Sequence, residues 1–286
     1  MSLTHNGRIP AHREAPAAAG PASGEPGPST PAGPPRRGAA VAIHDLSVVH
    51  GSGKNGVTAL DSLSLDVAPG EFVCVLGASG CGKSTLLHVL AGLDEPTQGT
   101  VHIGGQHTAL MFQEAALFPW LTARANVEFP LRLKKVGRAE RRARAEELLD
   151  LVQLSGVGGR RPHQLSGGMK QRVALARALA QDADLVLMDE PFGALDAMTR
   201  DALHQELELL WSDGSFSVVF VTHNVREAVR LGDRVVLLTS RPGRIAEVFD
   251  VGIPRPRRHN TADVGELARH ITDTLLTEVR RHGRTG

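Results

Sequence analysis

One short stretch, GASGCGKS from Gly77 to Ser84, sets the strongest limit on how this chain can fold. It fits the phosphate-loop pattern G-x-x-x-x-G-K-[S/T] at every fixed position, and it lies between an apolar strand, 72–76, and a helical segment. Glycine lets backbone N–H groups turn toward phosphate oxygens without a side chain in the way. Lys83 then places a positive charge near the β- and γ-phosphates, and Ser84 offers a hydroxyl to Mg²⁺. A glycine-rich turn that matches by chance is the alternative, but it does not account for the strand and helix on either side.

Composition narrows the class of protein. The chain has 286 residues, 41% of them apolar, and a net charge of +1, so a sizeable core is expected and a nucleic-acid partner is not. It has two cysteines, Cys74 and Cys81, which favours a reducing compartment over a disulfide framework. No apolar run approaches the ~20 residues of a membrane span, and the N-terminus lacks the apolar core of a secretory signal. We therefore expect a cytosolic chain; if it acts at a membrane, another protein must hold it there.

Apolar strands alternate with helices along most of the chain. This alternation predicts an α/β fold with a mostly parallel sheet and helices on its faces. Three apolar strands that alternate with helices are predicted at DLVLMD (184–189), SVVFVT (217–222) and DRVVLL (233–238). Further strands are predicted at VAIHDLSVVH (41–50), SLSLDV (62–67) and GTVHI (99–103).

The chain divides into three zones. Residues 1–38 are rich in Pro, Ala and Gly and are predicted to be a disordered tail, and 39–250 form the ordered domain. Within that domain, 126–154 is helical and charged, and its arginines are expected on a solvated face with i,i+4 glutamate partners. Residues 251–286 are predicted to be a linker and an amphipathic helix, whose apolar stripe is Val264, Leu267, Ile271 and Leu275.

Two of the apolar strands end in polar side chains that suit metal and water binding. Leu185–Pro191, LVLMDEP, ends in Asp189, which can hold Mg²⁺ through its water shell, and Glu190, which can orient an attacking water or accept its proton. The stretch FVTHN places His223 at the end of another strand, where ligands bind in open α/β sheets. Single carboxylates or histidines at such positions are often helix caps or surface charges. Their occurrence together with a phosphate loop favours a site, with His223 as a γ-phosphate sensor.

A second phosphate-binding feature is predicted some eighty residues after the first. In QLSGGMKQRVALARAL, Ser166, Gly167 and Gly168 open a helix, whose unpaired N–H groups and dipole both favour an anion. A simple helix cap explains Ser166 but not the glycine pair. Such a feature can donate to a γ-phosphate, but not to one that its own chain's loop already encloses, which points to a symmetric dimer.

Six stretches occur in the order and rough spacing found in the ATP-binding cassette (ABC) transporter ATPases: GASGCGKST, FQ, LSGGMKQR, LMDEP, GALD and VTHN. Residues 41–250 resemble that family, and LSGGMKQR is the most specific part of the resemblance. It implies a phosphate-loop NTPase fold with a mostly parallel sheet core, a small antiparallel β subdomain and an α-helical subdomain at about 114–168. It also implies ATP and Mg²⁺ as cofactors.

The resemblance assigns site residues as well. It implies catalytic roles for Glu190, His223 and Gln113, and Mg²⁺ ligation by Ser84, Gln113 and Asp189. Asp196 of GALD resembles the segment that communicates across a head-to-tail homodimer. Each ATP would lie between two copies, bound by Gly77, Ala78, Ser79, Gly80, Cys81, Gly82, Lys83, Ser84, Thr85 and His50 of one and by Ser166, Gly167 and Gly168 of the other.

Three departures from the family pattern have consequences. The chain has no Tyr, and His50 stands near the place of the ring that stacks on adenine, so weaker nucleotide affinity is expected. The segment between Gly99 and Phe112 is short, which predicts a trimmed edge of the small sheet. Asn224 replaces the commoner Asp after His223, and either residue can cap a helix.

The stretches FPWLT, EPFGALDAMTR and RPGRI resemble the importer subgroup for nitrate, sulfonates and taurine, and overall likeness favours aliphatic sulfonates. The resemblance implies two transmembrane permease subunits, an extracytoplasmic solute-binding protein as an indirect partner, and a peripheral position at the cytoplasmic face of the cell membrane. The apolar set 117–120 either fills a local core or receives the permease. Taurine or nitrate import, and a soluble ABC ATPase outside transport, are the alternatives.

Overall fold

The larger of two β-sheets carries the phosphate loop. In the computed structural model, which describes residues 38–51, 56–212, 215–258 and 261–282, this sheet has the order β5-β6-β7-β3-β8-β9. Its first five strands are parallel, and β9 runs antiparallel to β8. The strands are β3 (Phe72–Leu76), β5 (Thr108–Met111), β6 (Leu185–Asp189), β7 (Ser217–Val221), β8 (Arg234–Leu238) and β9 (Ile245–Asp250). Strands β3, β6 and β7 are buried along their whole length, as expected for central strands covered on both faces.

A smaller antiparallel sheet lies beside the first, with the order β2-β1-β4 within the described residues. It comprises β1 (Val41–His50), β2 (Val57–Val67) and β4 (Gln98–Ile103). One core cluster joins the inner side chains of this sheet to helix α1 (Lys83–Leu90) and to one face of β3. The chain passes from β4 to β5 through residues 104–107 alone, so the short segment noted in the sequence leads directly into the larger sheet.

Helices cover the larger sheet. They are α2 (Ala123–Leu133), α3 (Arg138–Leu151), α4 (Gly167–Leu179), α5 (Ala197–Ser212), α6 (Val225–Leu231) and α7 (Ala262–His282). Helices α2, α3 and α4 pack on one another, and α7 packs on α6. In α7, Val264 and Ile271 are fully buried and Leu267 and Leu275 are partly buried against the main core, so the predicted apolar stripe is confirmed.

The predicted helical region 126–154 is helical but not continuous. Two helices occupy this region, and the break falls where Lys135 has a φ of +60° and Gly137 precedes the first turn of α3. A left-handed residue cannot continue an α-helix, and the charged character of both segments hid the boundary.

Strands β5 and β9 were not predicted. Residues 108–111 are too few to show a clear alternation, and β9 mixes acidic and apolar residues because it is an edge strand. The predicted tail lies outside the described residues apart from Gly38. Within the described part of the chain, every helix is too short or too polar to cross a bilayer.

Candidate nucleotide-binding and catalytic site

Four neighbouring strands bring the predicted site residues to one edge of the larger sheet. The order β5-β6-β7-β3 places the segments after these strands side by side, because parallel strands end at the same edge. Gln113 follows β5, Asp189 and Glu190 close β6, and His223 follows β7. The phosphate loop follows β3, so residues separated by more than a hundred positions lie at one carboxyl edge.

Backbone conformation in the phosphate loop requires glycine. Gly80 and Gly82 have φ values of +75° and +94°. A Cβ on Gly82 would lie 2.7 Å from the carbonyl oxygen of Ala59 and 2.6 Å from a methyl carbon of Leu60. Gly82 precedes α1 and supplies no side-chain cap, which leaves the first N–H groups of that helix available to an anion.

The ammonium group of Lys83 is held at the floor of the loop. Its Nζ donates to the carbonyl oxygens of Gly77 at 2.9 Å and Ala78 at 3.0 Å, and lies 3.8 Å from Sγ of Cys81. Burial raises the pKa of the Cys81 thiol, so this cysteine stays protonated and contributes through its backbone rather than as a thiolate.

Asp189 and Ser84 form a pair of oxygen donors suited to Mg²⁺. Burial raises the pKa of the Asp189 carboxyl, while a hydrogen bond from Ser84 and the charge of Lys83 lower it. A divalent cation would offset the cost of the buried carboxylate, and Mg²⁺ takes few protein oxygens when phosphate oxygens complete its shell. The described residues contain no cluster of three or more His, Cys, Asp and Glu side chains that could hold a metal unaided. The donor set therefore fits Mg²⁺ carried by a nucleotide.

Glu190 is the meeting point of the remaining predicted catalytic residues. Its Oε2 lies 3.1 Å from Nδ1 of His223 and accepts a hydrogen bond from Nε2 of Gln113 at 3.4 Å. The Glu190 side chain is 20% exposed and that of His223 is 67% exposed, so the cluster opens to solvent. A carboxylate held in this way can orient a water molecule and accept its proton.

A cavity of about 360 Å³ extends from the phosphate loop toward β1 and β2. Its size falls in the range of small-molecule sites. Nε2 of His50 lies 3.1 Å from Oγ1 of Thr85, so the imidazole contacts the first turn of α1 beside the phosphate loop. The lining residues are His50, Val57, Thr58, Ala59, Gly80, Gly82, Lys83, Ser84, Thr85 and Arg241.

The second predicted phosphate-binding feature lies apart from this cavity. Oγ of Ser166 accepts a hydrogen bond from the Met169 N–H and caps α4. A Cβ on Gly167 would meet no atom within 4 Å, and Ser166 and Gly167 are both exposed. None of the residues that line the cavity comes from this segment. The structure therefore does not unite the two features within one copy of the chain.

Comparison with known proteins identifies the family. The ABC transporter family profile matches residues 60–193. An ABC transporter ATP-binding protein of Methanocaldococcus jannaschii is 45% identical over 83% of this chain and 91% of its own length. The chain belongs to the family of ABC transporter ATP-binding proteins. Two further relatives are the nitrate import ATP-binding protein NrtD of Synechocystis sp., 45% identical over 74% of this chain and 82% of the relative, and the taurine import ATP-binding protein TauB of Burkholderia pseudomallei, 44% identical over 84% and 94%.

Solved structures confirm the ABC cassette fold. A dimeric ATP-binding cassette in a post-hydrolysis state, bound to ADP and Pi, aligns with a TM-score of 0.68 and 35% identity over 75% of this chain and all of that one. A dimeric bacterial ABC transporter cassette aligns with a TM-score of 0.69 and the same identity and coverage. ATP and Mg²⁺, the predicted cofactors, are those that ATPases of this family use.

Sequence reasoning missed the residues that fix the loop after Gln113 in this ABC protein. Gln171 of α4 donates from its side chain to the carbonyl oxygen of Gln113. Arg177 donates to the carbonyl oxygens of Ala115 at 3.0 Å and Ala116 at 2.8 Å. The helix that begins at the exposed Ser166 thus also holds the loop carrying Gln113. The sequence offered one sign of these contacts, since Gln171 and Arg177 are polar residues within a largely apolar helix.

A buried polar network behind His223 was also missed. Nε2 of His204 lies 2.8 Å from Oε1 of Glu227, and Oγ1 of Thr222 donates to the other carboxylate oxygen. Thr222 also accepts the N–H of Asn224 at 3.0 Å, and Asn224 caps α6 as predicted by accepting from two backbone N–H groups. The network joins α5 to the end of β7, where His223 is held.

The apolar loop after Gln113 proves to be partly core and partly surface. The ring of Phe118 is half-buried, with its centroid 4.8 Å from that of Phe129. Trp120 is 68% exposed, although its ring centroid lies 5.5 Å from that of Phe118. Asn126, fully buried, accepts from the Phe118 N–H at 2.8 Å and donates to the carbonyl of Thr122 at 3.0 Å. A fixed loop therefore presents an indole to solvent.

Proposed function

We propose that this ABC protein is the ATP-hydrolysing, energy-coupling subunit of an importer, held at the cytoplasmic face of the cell membrane by its partners. One observation supports this most directly. Lys83, the Ser84–Asp189 pair and Glu190 with its two partners lie at one edge of a single sheet. Each has the chemistry that one part of phosphoryl transfer to water requires.

The phosphate loop, Gly77–Thr85, binds the phosphate chain through backbone N–H groups, and Lys83 supplies positive charge to it. Ser84, Asp189 and Gln113 would hold Mg²⁺, which would supply positive charge beside the phosphate oxygens. Glu190 accepts a proton from water and keeps that water in line. His223, which contacts Glu190, donates to the γ-phosphate from the neighbouring strand.

A head-to-tail homodimer completes the site in this proposal. Ser166, Gly167 and Gly168 of one copy face the phosphate loop of the other, and Asp196 lies in the segment between them. The exposure of Ser166 and Gly167 supports this arrangement, as do the dimeric cassettes with which the chain aligns. Because ATP then forms part of the interface, its hydrolysis opens the dimer and converts chemical energy into motion.

The membrane partners are two permease subunits, and an extracytoplasmic solute-binding protein acts through them. We assign the permease contact to the loop that exposes Trp120, because an exposed indole fixed by a buried Asn126 suits a partner better than solvent. The half-buried Phe118 beneath it keeps the loop rigid.

Aliphatic sulfonates are the substrate that we propose. In this role the chain binds ATP and not the transported molecule, so the substrate assignment depends on likeness to the importer subgroup. Taurine and nitrate, named for two relatives, are the alternatives.

Growth of a strain that lacks this chain tests both parts of the proposal. An alkanesulfonate, taurine or sulfate is given as the sole sulfur source, or nitrate as the sole nitrogen source. Wild type and Glu190→Gln are used for complementation. We expect loss of growth on the alkanesulfonate alone, rescued by wild type and not by Glu190→Gln.

Other outcomes separate mechanism from substrate. Loss on taurine or nitrate alone would keep the energy-coupling role and replace the substrate. Full rescue by Glu190→Gln would contradict the catalytic role of this residue. Normal growth on every source would contradict import of this class of substrate and return a soluble ABC ATPase outside transport to consideration.

A further inference from the structure

The turn between β8 and β9 is held together by several internal hydrogen bonds. Oγ1 of Thr239 donates to the carbonyl oxygen of Pro242 at 2.8 Å and accepts from the Arg244 N–H at 3.0 Å. The backbone N–H of Thr239 donates to the Arg244 carbonyl at 2.9 Å. Residues 239–244, which we name the RPG turn, therefore hold one defined conformation.

The RPG turn is fastened to β2 and to the phosphate loop. The Gly243 N–H donates to the Ala59 carbonyl at 2.9 Å, and the Asp61 N–H donates to the Gly243 carbonyl at 3.0 Å. Nε of Arg244 donates to the Asp61 carboxylate at 3.0 Å. A Cβ on Gly243 would lie 2.1 Å from the carbonyl oxygen of Cys81, so only glycine allows this approach. The turn cannot move away without breaking contacts on both sides.

This anchoring brings the guanidinium of Arg241 to the rim of the phosphate loop. A Cβ on Gly80 would lie 2.7 Å from Nη2 and 3.1 Å from Nε of Arg241. Arg241 lines the same cavity as His50 and Lys83, and its guanidinium lies beside Gly80 of the phosphate loop. Its side chain is exposed, and no carboxylate among the described residues forms an ion pair with it. The neighbouring Arg244 is instead paired with Asp61.

We infer that Arg241 is a further nucleotide-binding residue, whose guanidinium donates to the phosphate chain of ATP or ADP. The inference rests on the proposed function, since it concerns the same cavity. A planar guanidinium presents two parallel N–H donors to phosphate oxygens in a fixed fork, whereas an ammonium acts as a point charge without that geometry. The RPG turn supplies the positioning that a long, flexible side chain otherwise lacks.

Arg241 also bears on the missing aromatic ring. An imidazole at His50 covers less of an adenine face than a phenol does, so less of the binding energy comes from the base. A second cation beside the phosphate loop shifts affinity toward the phosphates. Nucleotide binding by this chain should consequently depend on phosphates more than on the identity of the base.

Calorimetric titration of the purified full chain with MgADP tests this inference. We expect Arg241→Ala to weaken MgADP binding by about tenfold at low ionic strength, as for loss of one charge-assisted contact. The MgADP affinity of Arg241→Lys should lie between those of wild type and Arg241→Ala, because lysine keeps the positive charge but lacks the planar pair of N–H donors. The matched control is Arg269→Ala, which removes an exposed arginine from α7 and should bind like wild type.

Titration with MgGDP separates a phosphate contact from a base contact. A phosphate contact weakens MgADP and MgGDP binding by the same factor, whereas a changed ratio between them would overturn the assignment to phosphate. Wild-type affinity in Arg241→Ala would overturn the inference and leave the proposed function intact. Failure of the wild-type chain to bind MgADP would instead contradict the proposed function itself.

Discussion

At the scale of single residues, the site combines a buried carboxyl group, whose surroundings disfavour its charged form, with polar side chains that are exposed to solvent. Asp189 is the clearest case of the first kind, because burial raises the pKa of its carboxyl. His223 and Gln113 are of the second kind, being exposed and directed at Glu190. A cation bound next to Asp189 would stabilise its buried carboxylate. The exposed side chains leave Glu190 accessible to water.

Replacement of Asp189 by Asn should stabilise the protein in the absence of nucleotide and Mg²⁺. With a pKa raised above its unfolded value, the carboxyl ionises first in the unfolded chain as pH rises. The free energy of unfolding therefore falls as the pH rises from the pKa of Asp189 in the unfolded chain to its pKa in the folded chain. It stays at the lower value above the folded-state pKa. We expect Asp189→Asn to have the higher Tm at pH 7, with a gap that narrows as the pH is lowered toward the ordinary carboxyl range.

Thermal melting across a pH series gives the result directly. A gap that does not change with pH would contradict the account, as would a higher Tm for wild type at pH 7. Gln205→Ala, at an exposed position on α5, serves as a control that should show no pH-dependent difference.

His50 offers a second test at this scale. A phenol ring has more area than an imidazole to stack on adenine, and favourable aromatic stacking is worth about 0.5–1.5 kcal/mol. His50→Tyr should therefore tighten MgADP binding several-fold even though it removes the contact with Thr85. His50→Ala should weaken it. Unchanged or weaker MgADP binding by His50→Tyr, measured by the same titration, would show that the base does not stack on the side chain at position 50.

At the scale of elements, α4 serves the site at both ends. Its first residues, Ser166 and Gly167, face solvent, and Gln171 and Arg177 fasten the loop that carries Gln113. Any shift of α4 therefore moves Gln113 relative to Glu190. We regard this helix as the rigid connection between the dimer surface, the catalytic edge and the loop that presents Trp120.

The loop itself depends on Asn126, whose side chain bonds to backbone groups of Phe118, Leu121 and Thr122. Asn126→Ala leaves the Phe118 N–H without its acceptor and takes the amide donor away from three backbone carbonyl oxygens, so unfolding free energy should fall by about 1–3 kcal/mol. Urea denaturation measures this, with Gln153→Ala, at an exposed position, as the control. A loss below about 0.5 kcal/mol, the usual range for surface changes, would mean that the loop is held by other contacts.

Much at this scale was predictable, and the failures have physical causes. The central strands show as apolar runs because both faces are covered, and β3 was predicted with its observed bounds. The division between α2 and α3 was missed because Lys135 carries no sign of its left-handed backbone. The contacts of Gln171 and His204 with distant residues arise from helix packing, which no local pattern encodes.

At the scale of the whole molecule, sequence motifs predicted which residues meet but not what supports them. Motif order sufficed to place Gln113, Asp189, Glu190 and His223 together, because a parallel sheet brings strand ends to one edge. The position of Arg241 was not foreseen, since RPGRI served only as a mark of the subgroup. Ser166 lies apart from the cavity in the single chain, which the proposed head-to-tail dimer would explain.

The central claim is that two copies enclose ATP and that Glu190 ends this state by hydrolysis. Sedimentation of purified Glu190→Gln, with MgATP or with MgADP, tests it most directly. Glu190→Gln with Ser166→Arg, which adds bulk to the exposed cap, is the matched control and should stay monomeric. We predict a dimer of Glu190→Gln with MgATP and a monomer with MgADP. A monomer under both conditions, with MgATP shown to be bound, would contradict the account.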